Sequence, residues 1–348
     1  GLDAPGARDV LGPDDGLYLV YLDVWTRQLT HLDDEDLREP ALGGADTTTR
    51  AKAVWQVRCE PLASLDDLPL SDSLPASPER VRETTGTLAV RSNNAQLFNQ
   101  LYRIEIAESG ARAEAVFKWS RDNAAVVGLV DVASGLSGAN LSLKISDKRF
   151  QKGDWIEIVT ETDELEGTPD SLASEGRNRF CRIKNMVGND IELDREHFLE
   201  TLAGTQGVIK IRRWDVDPQR AADEEPPLFS LTPEADGDGW IELENGIAVQ
   251  FSEGNYKQGD YWYVPIRVAD ETPQVRPAAP VDGVLHPTAH LAVVERSGGS
   301  LTLVRDLRRR YIPPGDDRGL MYAGGDGQVT PRGTVLPEPL AVYVTGYI

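Results

Sequence analysis

A few small clusters in this chain hold residue types that could do chemistry. Asp236, Asp238 and Glu242 (DGDGWIE) bring three oxygen ligands together around glycines, which suits calcium, although an EF-hand loop needs more ligands and flanking helices. A plain Asp-Gly turn reads the same residues without a metal. His286 and His290 (HPTAH) have the spacing of a helical metal pair, but Pro287 spoils that helix and no Glu lies inside the motif as in a zinc protease. Arg305, Arg308, Arg309 and Arg310 could hold an anion, or could mark a charged strand end facing solvent. Asp154 and Asp260 each follow a glycine and precede an aromatic, Trp155 or Tyr261, a combination that could grip a sugar. The same pair reads as a turn, with glycine supplying a positive φ and Asp a hydrogen bond to backbone.

No larger catalytic constellation emerges. A glycosidase needs two placed carboxylates, and among 57 acidic residues no pair is singled out. There is no GxSxG, no P-loop and no GxGxxG after a strand. Cys59 and Cys181 sit in the strand-like runs VWQVRC and RFCRI and read as reduced core thiols rather than a disulfide or a nucleophile. No cofactor is therefore expected, and calcium is the one metal in view.

The elements that must position these residues are strands. Leu17 to Trp25 (LYLVYLDVW) follows the turn signal GPDDG and is apolar on both faces, which places it centrally in a sheet. LDDEDLREPAL gives at most a short helix ending at Pro40, and Ala53 to Cys59 is the next strand. From Glu60 to Arg91 the apolar pattern is lost and an ordered loop or linker is expected. Asn99 to Ala107 alternates as a one-sided strand, and Val187-Gly188-Asn189-Asp190 is a hairpin signature. His290 to Arg296, the turn SGGS and Leu301 to Leu307 form a late hairpin.

An internal repeat organises the middle. Leu141, Leu143, Ile145, Ser146, Phe150, Gly153 and Asp154 fall, at a constant offset of 106 residues, on Ile247, Val249, Phe251, Ser252, Tyr256, Gly259 and Asp260. Each copy reads as two strand runs flanking a Gly-Asp turn, with most of Tyr261, Trp262, Tyr263 and Val264 buried. Trp119 and Trp214 hold comparable places, each followed within three residues by an acid. The expected fold is all-β, several small β-sandwich or barrel modules including this repeat, with only short helices. The expected partition is an N-terminal β region over 1–115 pairing with 281–312, modules at 116–205 and 206–280, a closing hairpin at 281–318 and the start of a further module at 319–348.

Composition narrows the partners. A net charge of −21 argues against nucleic acid, which requires a basic surface. No apolar run is long enough to span a bilayer. The opening GLDAPGARDV shows no initiating Met and no signal peptide, so a piece of a longer chain is expected.

Taken together, LYLVYLDVWTRQLT, LREPALGGADTTTRAKAVWQVR, NQLYRIEI, VFKWSRDNAAVV, QGDYWYVPIRVA and RGLMYAGGDGQ resemble, in order from about Leu17 to Val344, an uncharacterised domain family. Its members are encoded near contractile injection systems, the phage-tail-like particles of bacteria and archaea, and include tail-fibre-like proteins. The resemblance assigns no catalytic residues. It implies a non-enzymatic structural or host-attachment component, bound to other particle subunits, homo-oligomeric and by analogy a trimer. Such a component is made in the cytoplasm and is extracellular or at the cell surface when mature, where a glycan or receptor is its target. A surface carbohydrate-binding or polysaccharide-cleaving protein is the alternative.

Overall fold

The computed structural model describes residues 14–65, 84–92, 99–134, 138–166, 179–195, 207–216, 225–233, 239–267, 276–308, 319–325, 328, 334–335, 337–339 and 341–345. Its strands are β1 (Gly16–Leu29), β2 (Arg50–Leu62), β3 (Leu88–Ser92), β4 (Gln100–Glu108), β5 (Gly110–Ala111), β6 (Val116–Ser120), β7 (Val127–Val130) and β8 (Asn140–Ile145). They continue as β9 (Trp155–Thr160), β10 (Phe180–Val187), β11 (Asp190–Leu193), β12 (Ile209–Trp214), β13 (Phe229–Ser230), β14 (Ile241–Glu244) and β15 (Ile247–Phe251). The last are β16 (Asn255–Tyr256), β17 (Tyr261–Ile266), β18 (Arg276–Ala279), β19 (Thr288–Ser297), β20 (Ser300–Asp306), β21 (Gly319–Gly324) and β22 (Ala341–Thr345). The α-helix described is the single short α1 (Glu161–Glu166), so the fold is all-β with several small modules.

The chain divides into two compact units. Among the described residues, one holds those of Val24–Gln56 and Arg80–Pro287, the other those of Gly6–Asp23, Val57–Glu79 and Thr288–Ile348.

The first unit contains a closed barrel and a sandwich. The barrel runs β10-β11-β8-β7-β12-β9. It is filled by Leu141, Leu143, Ile156, Ile158, Ile191 and Ile211 from alternate positions of its strands, as closure of a sheet requires. The sandwich sets the sheet β13-β6-β4-β17 against β14-β15-β3-β18 around one apolar core. Phe117, Phe251, Tyr256 and Trp262 pack tilted or edge-to-face at its centre, with Phe251 5.0 Å from Phe117 and 5.9 Å from Trp262 between ring centroids.

The two copies of the repeat fall one in each body. In the barrel, the Gly153 N–H donates to the Ile183 carbonyl at 2.8 Å, the Ile183 N–H to the Asp154 carbonyl at 2.9 Å, and the Asp154 N–H to the Gln151 carbonyl at 3.1 Å. In the sandwich, Gly259 donates to Ile106 at 2.9 Å, Ile106 to Asp260 at 2.9 Å, and Asp260 to Lys257 at 3.2 Å. The glycines have φ of +96° and +85°, a region that favours glycine. The neighbouring strand differs in chain order, since β10 follows its copy of the turn and β4 precedes the other.

In the second unit, β1 pairs antiparallel with β19, Tyr18 opposite Val294 and Leu19 opposite Val293. β20 forms the outer strand beyond β19, and β21 pairs with β22.

Several local expectations need correction. The pattern over 60–91 hides β3, whose Leu88, Val90 and Ser92 are buried between β15 and β18; five residues with two large apolar side chains are too short to stand out. LDDEDLREPAL forms two 3-10 turns, Glu35–Leu37 and Pro40–Leu42, and Pro40 opens the second instead of ending a helix. β4 is covered on both faces, because the charged face carrying Arg103 and Glu105 is buried as well. β6, grouped by sequence with the first module, lies in the sandwich between β4 and β13, and β12, grouped with the second, closes the barrel.

Candidate functional site

The densest polar chemistry lies where the sandwich meets the barrel. Alternation along β4 sends Tyr102, Ile104 and Ile106 into the sandwich core and Arg103 and Glu105 to the opposite face. β6 delivers Lys118 and the barrel strand β9 delivers Glu157. The Lys118 ammonium sits 2.7 Å from both Glu157 oxygens and 3.2 Å from Glu105 Oε1. It also lies 4.4 Å from the centre of the Trp214 ring, whose Nε1–H donates to Glu157 Oε2 at 2.7 Å. Arg103 completes the layer, 2.6 Å from Glu105 and stacked 3.7 Å from the centre of the Tyr261 ring. Burial pushes the Glu105 carboxyl up, but Arg103, Lys118 and Arg212 outweigh it and hold it at about 2.

A second cluster joins the two tryptophan segments. The Asp215 N–H donates to the Trp119 carbonyl at 3.0 Å, and the Arg121 N–H donates to Asp215 Oδ2 at 2.9 Å. Arg121 reaches Glu244 at 2.8 Å, and the Tyr102 hydroxyl donates to the same carboxylate at 2.8 Å. Arg213 pairs with Asp122 at 2.5 Å. Asn123 and Ala124, in the loop between, take φ of +55° and +53°, uncommon for residues with a Cβ. Burial raises the Asp154 carboxyl despite the Gln151 N–H and Arg213 nearby.

A third cluster fastens the segment after β1 to the barrel. β12 turns Ile209 and Ile211 inward and Lys210 outward, where its ammonium meets Asp33 at 2.5 Å and Glu164 at 3.0 Å. Arg27 bridges Asp33, Glu161 and Glu164 at 3.0, 3.1 and 2.6 Å. Burial pushes the Asp33 carboxyl up, but Lys210, the Thr30 N–H and Arg27 bring it below its ordinary value.

In these clusters the carboxylates are matched to cations or amides. That arrangement fixes the orientation of one β body on another, because separating a buried pair strands a charge in a dry environment. It holds Glu105 and Asp33 ionised rather than poised to exchange a proton near neutral pH.

The residues singled out by sequence are scattered among other roles. Glu242, itself exposed, pairs with half-buried Arg91 at 3.1 Å, while Asp236 and Asp238 lie outside the described residues. Among the described residues no group of three or more His, Cys, Asp or Glu is placed to hold a metal ion. Asp154 accepts from the Gln151 N–H at 2.8 Å within its own turn; Asp260 is buried and takes the Thr84 hydroxyl, which itself accepts the Lys257 N–H at 2.8 Å. His286 stacks on Trp25 at 5.2 Å, His290 is exposed opposite Tyr21, and His31 lies 3.0 Å from Asp46. Arg305 pairs with Glu338 and Arg308 with Asp306, while Arg309, Arg310 and His197 lie outside the described residues. Trp262 and Val264 are buried; Tyr261 and Tyr263 are only half-buried, on the opposite face. Both cysteines are free thiols, Cys181 buried and Cys59 half-buried. Among the described residues no helix is long and apolar enough to cross a membrane.

The ionic joint was missed by sequence because its members are far apart in the chain. The one available signal was a charged pair, Arg103 and Glu105, alternating with the apolar residues of β4.

Residues 10–95 match the model of a family of unknown function (DUF6519). No curated protein and no solved structure matches the chain.

Proposed function

We propose that this chain is a non-enzymatic structural or host-attachment component of a phage-tail-like contractile injection system. The resemblance of its ordered segments, from LYLVYLDVW to RGLMYAGGDGQ, supplies the biological setting. The observation that carries the mechanical half is the Lys118–Glu105–Glu157 joint, which spends buried charge on holding a barrel and a sandwich in one orientation. Rigidity between β bodies serves a part that transmits or withstands load, and loops at their ends can vary without disturbing the joint. In this reading the partners are other particle subunits, and a cell-surface glycan or receptor where the part is exposed. The finished location is the assembled particle, extracellular or at the cell surface.

The test is negative-stain imaging of particles from cells with and without the gene. Particles lacking a fibre, collar or baseplate feature support the assignment. Particles that are identical in form and in attachment to their target cells overturn it.

A further inference from the structure

The geometry points to the outer edge of β20 as a two-fold contact between copies of this chain, made by antiparallel pairing of β20 with itself. This surface belongs to the second unit. β20 has β19 on one side and, among the described residues, no strand on the other. An open edge of this kind is a template for another strand unless Pro, Lys, a bulge or a covering segment blocks it. Ser300–Asp306 (SLTLVRD) contains neither Pro nor Lys; its bulge at Val304, its two charged residues and the Glu338 contact on Arg305 all lie at its C-terminal end, beyond Ser300–Leu303.

The side chains beside this edge are apolar and exposed. Leu301 and Leu303 are 55% and 61% exposed. In register, Leu303 lies opposite Val294, which lies opposite Tyr18, so Leu303 extends an apolar row across three strands, while Leu301 lies opposite Arg296.

The backbone selects the register. Ser297 and Ser300 flank the two-residue turn Gly298-Gly299, whose φ values are +55° and +82°. In such a hairpin the flanking pair exchanges hydrogen bonds, and the bonded positions then alternate. Ser300 and Thr302 therefore turn their N–H and C=O toward β19, and Leu301 and Leu303 turn theirs to the open edge. Two open residues separated by one form a self-complementary set. With Thr302 on the two-fold axis, Leu301 of each copy meets Leu303 of the other in hydrogen-bonded pairs, and all four leucines lie on one face.

The occupant is a second copy rather than a charged partner because of how charge is placed. The whole chain carries −21, so copies repel unless they meet where charge is balanced. Here Glu295 is offset by its neighbour Arg296, Asp306 pairs with Arg308 and Arg305 pairs with Glu338. The bulge at Val304 ends the regular ladder before Arg305 and Asp306, so no charged residue lies among the paired positions Leu301 to Leu303. The pairing is isologous and closes at two copies, unlike the trimer implied by the family resemblance.

Sedimentation velocity on the whole chain across concentration tests this. A concentration-dependent dimer is expected, lost at every concentration up to ~100 μM in a Leu301→Lys, Leu303→Lys variant that keeps the circular dichroism of the parent. A monomer throughout, a trimer, or a dimer untouched by both lysines overturns the proposal. If the lysine variant fails to fold, cysteine cross-linking decides. A non-hydrogen-bonded antiparallel pair brings Cα atoms to roughly 4.5 Å, within disulfide range. In a Cys59→Ser background, Thr302→Cys is expected to give a disulfide-linked dimer on mild oxidation and Ser300→Cys far less. Equal cross-linking at both positions, or none at Thr302→Cys, contradicts the register.

Discussion

Replacing Glu105 by Gln removes one carboxylate from the joint while keeping its shape. Its carboxyl is 7% exposed as a residue and is held at about 2 against an ordinary 4.5. A depression of that size corresponds to about 3 kcal/mol of stability at neutral pH. Because the folded value is the lower one, this contribution is complete above the unfolded value of 4.5 and is lost as pH falls through about 2. The expected difference between parent and Glu105→Gln is therefore about 3 kcal/mol at pH 7, shrinking to about 1 kcal/mol near pH 3. Urea unfolding followed by tryptophan fluorescence reads it, since Trp214 lies 4.4 Å from the Lys118 ammonium that Glu105 shares. Glu242→Gln is the control: Glu242 is itself exposed, and a change within about 0.5 kcal/mol is expected. A Glu105→Gln difference below about 0.5 kcal/mol at pH 7, or one that stays constant down to pH 3, refutes the reasoning.

The remaining expectations concern the repeat and the thiols. Gly153→Ala and Gly259→Ala should cost similar amounts, about 1–2 kcal/mol each, because both positions have positive φ and an added Cβ meets no atom closer than 3.8 Å; unequal losses in thermal unfolding would contradict the shared turn. Cys181 should resist a thiol reagent in the native protein while Cys59 reacts, since burial pushes the Cys181 thiol far above its ordinary value and Cys59 is only half-buried. Peptide mapping after brief labelling distinguishes the two, and equal labelling would show that the barrel interior opens readily.

The sequence made local features legible and long-range ones obscure. The repeat could be read because the positive-φ glycine of each Gly-Asp turn is a local requirement of backbone geometry, the aromatic three residues before it is buried in both copies, and both make the same three hydrogen bonds. The hairpin at Gly188 was legible for the same reason: φ there is +64° and Val187 pairs with Asp190. Which strands share a body was not. Trp119 and Trp214 looked like equivalent positions of separate modules, yet Asp215 donates to the Trp119 carbonyl. Pairing between residues about a hundred positions apart leaves no periodicity to detect. The joint was hidden further because alternation predicts solvent for Arg103 and Glu105, and only another β body placed over that face makes them interior.

The proposed function is tested most directly by mass spectrometry of contractile particles purified from the organism that encodes this chain. A component is expected in the particle fraction at a fixed stoichiometry to the sheath protein, retained through a density gradient. Its recovery only in fractions free of particles would contradict the assignment.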